Sequence, residues 1–139
     1  MKKFLTTIFV VIIALSCIAC APESRPTQYK SVNLATIGQE VDTNLARATE
    51  KYVGGNYSFY AELSYVSQNA TTITAYEINP AYELGVCVSG KILDQEDKDI
   101  IKNANDGDVI LIKGKITDID LGFMISAKLK MDIYEIRIQ

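Results

Sequence analysis

The sequence predicts a mainly β fold, a small five-stranded barrel behind an export leader and a spacer. Three observations point to it. Apolar and polar residues alternate with period two in successive short runs beyond residue 56. A short helical run separates the third strand from the fourth. The fourth strand is apolar on both parities and is interrupted by a glycine, as a covered and bent barrel strand would be.

The leader comes first in the chain. Met1-Lys2-Lys3 is a short basic head, and an apolar stretch from Phe4 to Ala19 follows, broken by Thr6, Thr7 and Ser16. A basic head, an apolar middle and a small-residue exit describe a secretory signal, and the run is too short for a membrane-spanning helix. Cys17 and Cys20 close it. A redox Cys-x-x-Cys pair needs a folded helix N-terminus to lower its thiol pKa, and a zinc site needs about four ligands, which a chain with no histidine and three cysteines does not supply. A small residue followed by Cys at the end of such a signal resembles the bacterial lipobox, in which the sulfur is acylated and the Cys becomes the mature N-terminus. Ala14-Leu15-Ser16-Cys17 fits that pattern and Cys17-Ile18-Ala19-Cys20 is its rival. Residues 1–16 are therefore expected to be a lipoprotein signal peptide, with Cys17 as the lipidation site and Cys20 as the alternative. The expected location is the bacterial cell envelope, exported and anchored to a membrane through lipid.

Residues 17–39 read as a flexible tether: polar, with Pro22 and Pro26 and no sustained apolar period. Loss of residues 1–16 removes Lys2 and Lys3, leaving 12 basic side chains against 17 acidic ones, a net charge of −5. That sign repels phosphate backbones and anionic membrane surfaces.

Residues 40–139 are expected to form one domain. From Glu40 to Tyr52, Val41, Leu45, Ala48 and Tyr52 share a helix face, and Gly54-Gly55 stops the helix. Strand one alternates Tyr57, Phe59, Ala61, Leu63 and Tyr65 against Ser58, Tyr60, Glu62 and Ser64. Ser67 to Ala70 is a turn, Thr71 to Ile78 a β-branched second strand ended by Asn79-Pro80, and Leu84 to Ile92 the third. Asp94 reads as an N-cap for a helix from Gln95 to Asn103, with Asp94, Glu96, Asp97 and Asp99 as its solvated start. Strand four runs from Asp108 to Asp118, with Val109 to Ile112 buried on both faces and Gly114 as the bend. Asp120 to Phe123 turns the chain. Strand five alternates Ala127, Leu129, Met131 and Ile133 with polar residues, and its apolar parity then switches to Tyr134, Ile136 and Ile138, which predicts a register break.

A helix between strands three and four of a five-stranded barrel is the ordering of an OB-fold. The run from Val41 to Gly55 resembles the leader helix of the bacterial tRNA-anti-like OB-fold family, and Asn105 to Lys115 is similar to that family's fourth strand with its glycine. The resemblance covers about Glu40 to Ile138. It implies an exported or lipid-anchored protein and carries over no catalytic residue.

No catalytic, metal or cofactor site is legible. Without histidine there is no Ser-His-Asp or Cys-His arrangement. Lys102 to Asp108 superficially suggests a calcium loop, but Lys102 and Ala104 would stand at ligand positions. Cys87 reads as a small buried residue on a strand rather than a nucleophile. The chain is thus expected to be a non-enzymatic binding module. OB-folds commonly bind on strands two and three and the flanking loops, which here would present Tyr76, Ser89, Lys91, Asn69 and Asp120. One lysine beside two aspartates (Asp118 and Asp120) gives no phosphate track, so the expected partner is an envelope protein or an uncharged glycan. Nucleic acid or oligosaccharide binding through the same face is the alternative.

Overall fold

A computed structural model describes residues 24–80, 85–122 and 125–139. The expected signal peptide, Cys17, Cys20, the first part of the expected tether, Leu84 and Phe123 lie outside the described residues. In chain order the elements are β1 (Lys30–Ser31), α1 (Leu34–Thr43), α2 (Leu45–Tyr52), β2 (Asn56–Val66), β3 (Thr72–Tyr76), β4 (Cys87–Ile92), α3 (Gln95–Ile101), β5 (Val109–Gly122) and β6 (Ile125–Ile138). The sheet order is β1-β2-β3-β4-β6-β5, and β2 pairs with β5 to close a barrel of five strands, β2 to β6. With α3 between β4 and β5, this is the OB-fold. No helix among the described residues is long and apolar enough to cross a membrane.

The apolar alternation decides what faces inward. Phe59, Leu63, Ile73, Ile112, Leu129 and Ile133 lie in one core, and among the described residues every buried apolar side chain falls between Leu34 and Ile136. A chain beginning at Ser24 therefore carries every buried apolar residue among the described ones. Glu62 is exposed beside buried Leu63, as strand one predicts. Tyr65 departs from the pattern and is 58% exposed. The pairing of β2 with β3 slips between Leu63 and Tyr65, and the bulge turns Tyr65 outward. The breaks expected at Gly114 and Tyr134 are one feature: the β5–β6 register shifts between Lys113, opposite Glu135, and Gly114, opposite Ile133. Burial of β5 on both faces is partial, since Ile110 and Ile112 are buried whereas Val109 and Leu111 are half-buried.

Packed structure begins earlier than residue 40. Lys30–Ser31 pairs in parallel with Tyr57 and Ser58 and covers the part of the β2 edge that short β3 leaves open. Helix α1 starts at Leu34, capped by Asn33, whose Oδ1 accepts from the Ala35 N–H at 2.8 Å. It buries Leu34, Ile37 and Val41. Gly38 marks close packing of this helix: a Cβ there would lie 2.8 Å from Val86 Cγ2. The single helix expected from Glu40 to Tyr52 is two, because Asn44 is extended and accepts the Arg47 N–H on its Oδ1 at 3.0 Å, starting a new helix.

Helix α3 ends at Ile101, and its acidic start is not wholly solvated. Asp94 caps it through the Glu96 N–H, but Asp97 is 4% exposed. The β4–β6 ladder ends at Ile92 opposite Ile133, and Asp97 Oδ1 accepts the Ile136 N–H three residues further on at 3.0 Å. Its other oxygen makes no hydrogen bond but lies 3.6 Å from the Arg25 guanidinium, which also pairs with Asp94. Burial raises the Asp97 pKa, and the Ile136 N–H and Arg25 partly oppose that shift. Arg25, in the expected tether, thus packs on the helix start.

Candidate ligand-binding face

The register arranges the outward side chains of β3, β4, β6 and β5 in three cross-strand rows. Tyr76 stands opposite Cys87, which stands opposite Lys128, which faces Asp120. Thr74, Ser89, Lys130 and Asp118 form the second row, and Thr72, Lys91, Asp132 and Lys115 the third, its last pair being Lys115 opposite Asp132. Opposed side chains lie close enough to interact, and each row mixes small polar groups with opposite charges.

Tyr76, Ser89 and Lys91 therefore share one face. Tyr76 is 40% exposed, Lys91 is exposed and Ser89 is half-buried. Asp120 also joins the face, though not from a loop: β5 continues to Gly122, so the expected turn lies later and Asp120 sits within the strand. Asn69 is brought to the β2–β3 turn but is engaged there. Its Oδ1 accepts from Thr71 Oγ1 at 2.7 Å and from Ser67 Oγ at 3.0 Å.

The lysine beside Asp118 and Asp120 is Lys130 rather than Lys91. Its Nζ donates to Asp118 Oδ2 at 2.7 Å and lies 2.8 Å from Asp120 Oδ2. These two carboxylates hold the Lys130 pKa well above the usual range and lower that of Asp118. Lys128 and Lys130 are the site residues missed at the level of sequence. Their polar parity in the last strand was visible, but their rows depend on a parallel β4–β6 pairing that no local pattern reports. Cys87 is 5% exposed, and burial pushes its thiol pKa up despite Tyr76 and Lys128 nearby, so it carries no reactive thiolate. Among the described residues no group of three or more Cys, Asp or Glu side chains is placed to hold a metal ion.

Four lysines and three aspartates give this face a nearly neutral checkerboard. A surface of this kind, with Tyr76 at its edge and opposite charges interleaved, can form hydrogen bonds and apolar contact but does not present a continuous run of cations.

No family model matches the sequence, and no curated protein matches it either. Among solved structures, the chain is similar to a candidate nucleic-acid-binding lipoprotein from Klebsiella pneumoniae, with 12% identity over 83% of this chain and 99% of that one and a TM-score of 0.54. It is also similar to an aspartyl-tRNA synthetase from Entamoeba histolytica, with 9% identity, a TM-score of 0.51, and coverage of 86% of this chain but 24% of the synthetase. These likenesses show the OB-fold.

Proposed function

We propose that the protein is a bacterial envelope lipoprotein of the tRNA-anti-like group. Its OB-fold domain acts as a non-enzymatic binding module for a protein or an uncharged glycan. The observation that carries this reading is the pairing of Lys130 with both Asp118 and Asp120, which removes a central cation from the outer face. A lysine already held by two carboxylates would have to give them up to meet a phosphate, and the chain without residues 1–16 has a net charge of −5. Tyr76, with an apolar ring and a polar tip, suits protein or sugar contact. Nucleic acid is the second reading, supported by Lys91, Lys115 and Lys128 on the same face and by the designation of the Klebsiella structure.

The anchor is tested by metabolic labelling. Labelled palmitate is expected to enter the wild-type protein and to be lost in Cys17→Ser. Label that persists in Cys17→Ser and vanishes in Cys20→Ser would move the site, and an unlabelled wild type would contradict lipidation. The partner class is tested with single-stranded DNA and RNA oligomers at physiological salt. No saturable binding is expected, whereas micromolar, salt-sensitive binding abolished by Lys91→Glu would favour nucleic acid.

A further inference from the structure

A second surface adjoins the checkerboard and differs from it in charge. On the outside of β2, Tyr60 is 49% exposed and Glu62, opposite Tyr76, is exposed as well. A groove of about 310 Å³ runs past Glu62, Ser64, Tyr76, Glu77 and Asp106, and a second of about 190 Å³ continues past Tyr60 and Glu77. No lysine or arginine is among the described residues lining either one. Glu62 and Asp106 make no ion pair among the described residues, and Glu77 is fixed by accepting the Val86 N–H at 3.1 Å. The surface therefore joins two exposed tyrosines to three carboxylates without internal cations, whereas on the neighbouring face Lys130 is already neutralised.

We infer that the groove edged by Tyr60, Glu62, Tyr76 and Glu77 docks a basic peptide segment of a partner protein, a reading that rests on the binding-module function above and names its partner's chemistry. Charge complementarity selects the occupant. Lysine or arginine side chains meet unpaired carboxylates, and their cationic heads and aliphatic stems suit the tyrosine rings. Tyr76 belongs to both surfaces, so a peptide seated in the groove would extend to the edge of the checkerboard.

The test uses the chain from Ser24 onward and a fluorescein-labelled nonapeptide of alternating lysine and leucine, with the same peptide carrying glutamate for lysine as its control. The lysine peptide is expected to bind and the glutamate peptide not to bind. Glu62→Lys and Tyr60→Ala are each expected to weaken binding by roughly tenfold or more, whereas Glu50→Lys, the same charge change on α2, should alter it by less than about twofold. Equal losses in Glu62→Lys and Glu50→Lys would reduce the effect to net charge and overturn the inference. Displacement by spermine at the peptide's own affinity would overturn it in favour of a small-cation site. If neither the lysine peptide nor oligonucleotides bind, the groove assignment fails while the module reading stands. Oligonucleotide binding without peptide binding would overturn both.

Discussion

Replacing Leu63 with alanine is expected to lower the unfolding free energy by about 2–5 kcal/mol, whereas Glu62→Ala next to it should change it by less than about 0.5 kcal/mol. Leu63 is 1% exposed and fills the barrel interior, so truncation leaves a cavity among rigid neighbours. Its backbone also ties β2 to the approach to β5, donating to the Asp108 carbonyl at 2.9 Å and accepting the Gly107 N–H at 2.8 Å. Those bonds survive the substitution, so the loss reports side-chain packing. Urea unfolding of the two variants checks it. Equal small losses would mean that β2 does not point Leu63 inward.

Gly114→Ala is expected to destabilise by about 1–3 kcal/mol, a drop in Tm of several degrees for a domain of this size. A Cβ at this position would run into the main-chain carbonyl oxygen of Asp132, with Met131 Cε 2.7 Å away. A flexible side chain could turn aside, but a carbonyl inside a strand cannot move without disturbing the ladder. The register shift between Lys113 and Gly114 places the bend there. Thr117→Ala, at an exposed position on the same strand, should leave Tm nearly unchanged. A Gly114→Ala protein melting with the wild type would show that β5 and β6 do not cross so closely.

Much of this architecture was legible because a half-buried barrel strand writes its two faces into alternate residues. Tyr57 to Leu63 and Ala127 to Ile133 announce themselves in this way, and the parity switch after Ile133 marked the β6 bulge. Helix α1 was missed because residues 17–39 read as a polar spacer, and the boundary set at residue 40 cut Leu34 and Ile37 off from Val41 on the same helix face. Tyr65 was assigned to the wrong face because a bulge one residue earlier reverses the parity and leaves no compositional mark. Burial of Asp97 depends on an N–H that β6 exposes only where β4 ends, a contact across 39 positions of sequence. The site was partly legible for a related reason. Tyr76, Ser89 and Lys91 follow from strand parity, but the pairing of Lys130 with two aspartates exists only once β5 and β6 are in register.

That pairing also gives the central claim its sharpest test. Neutralising both carboxylates with Asp118→Asn and Asp120→Asn should release Lys130 beside Lys91 and Lys128 while keeping side-chain size. Fluorescence titration of the chain from Ser24 with a labelled oligothymidylate, at low and at physiological salt, reads the consequence. The wild type is expected to show no saturable binding at physiological salt, and the double variant is expected to gain binding that weakens steeply as salt rises. Micromolar binding by the wild type, unchanged in the double variant, would mean that the outer face is a nucleic-acid surface despite its aspartates and would contradict the account.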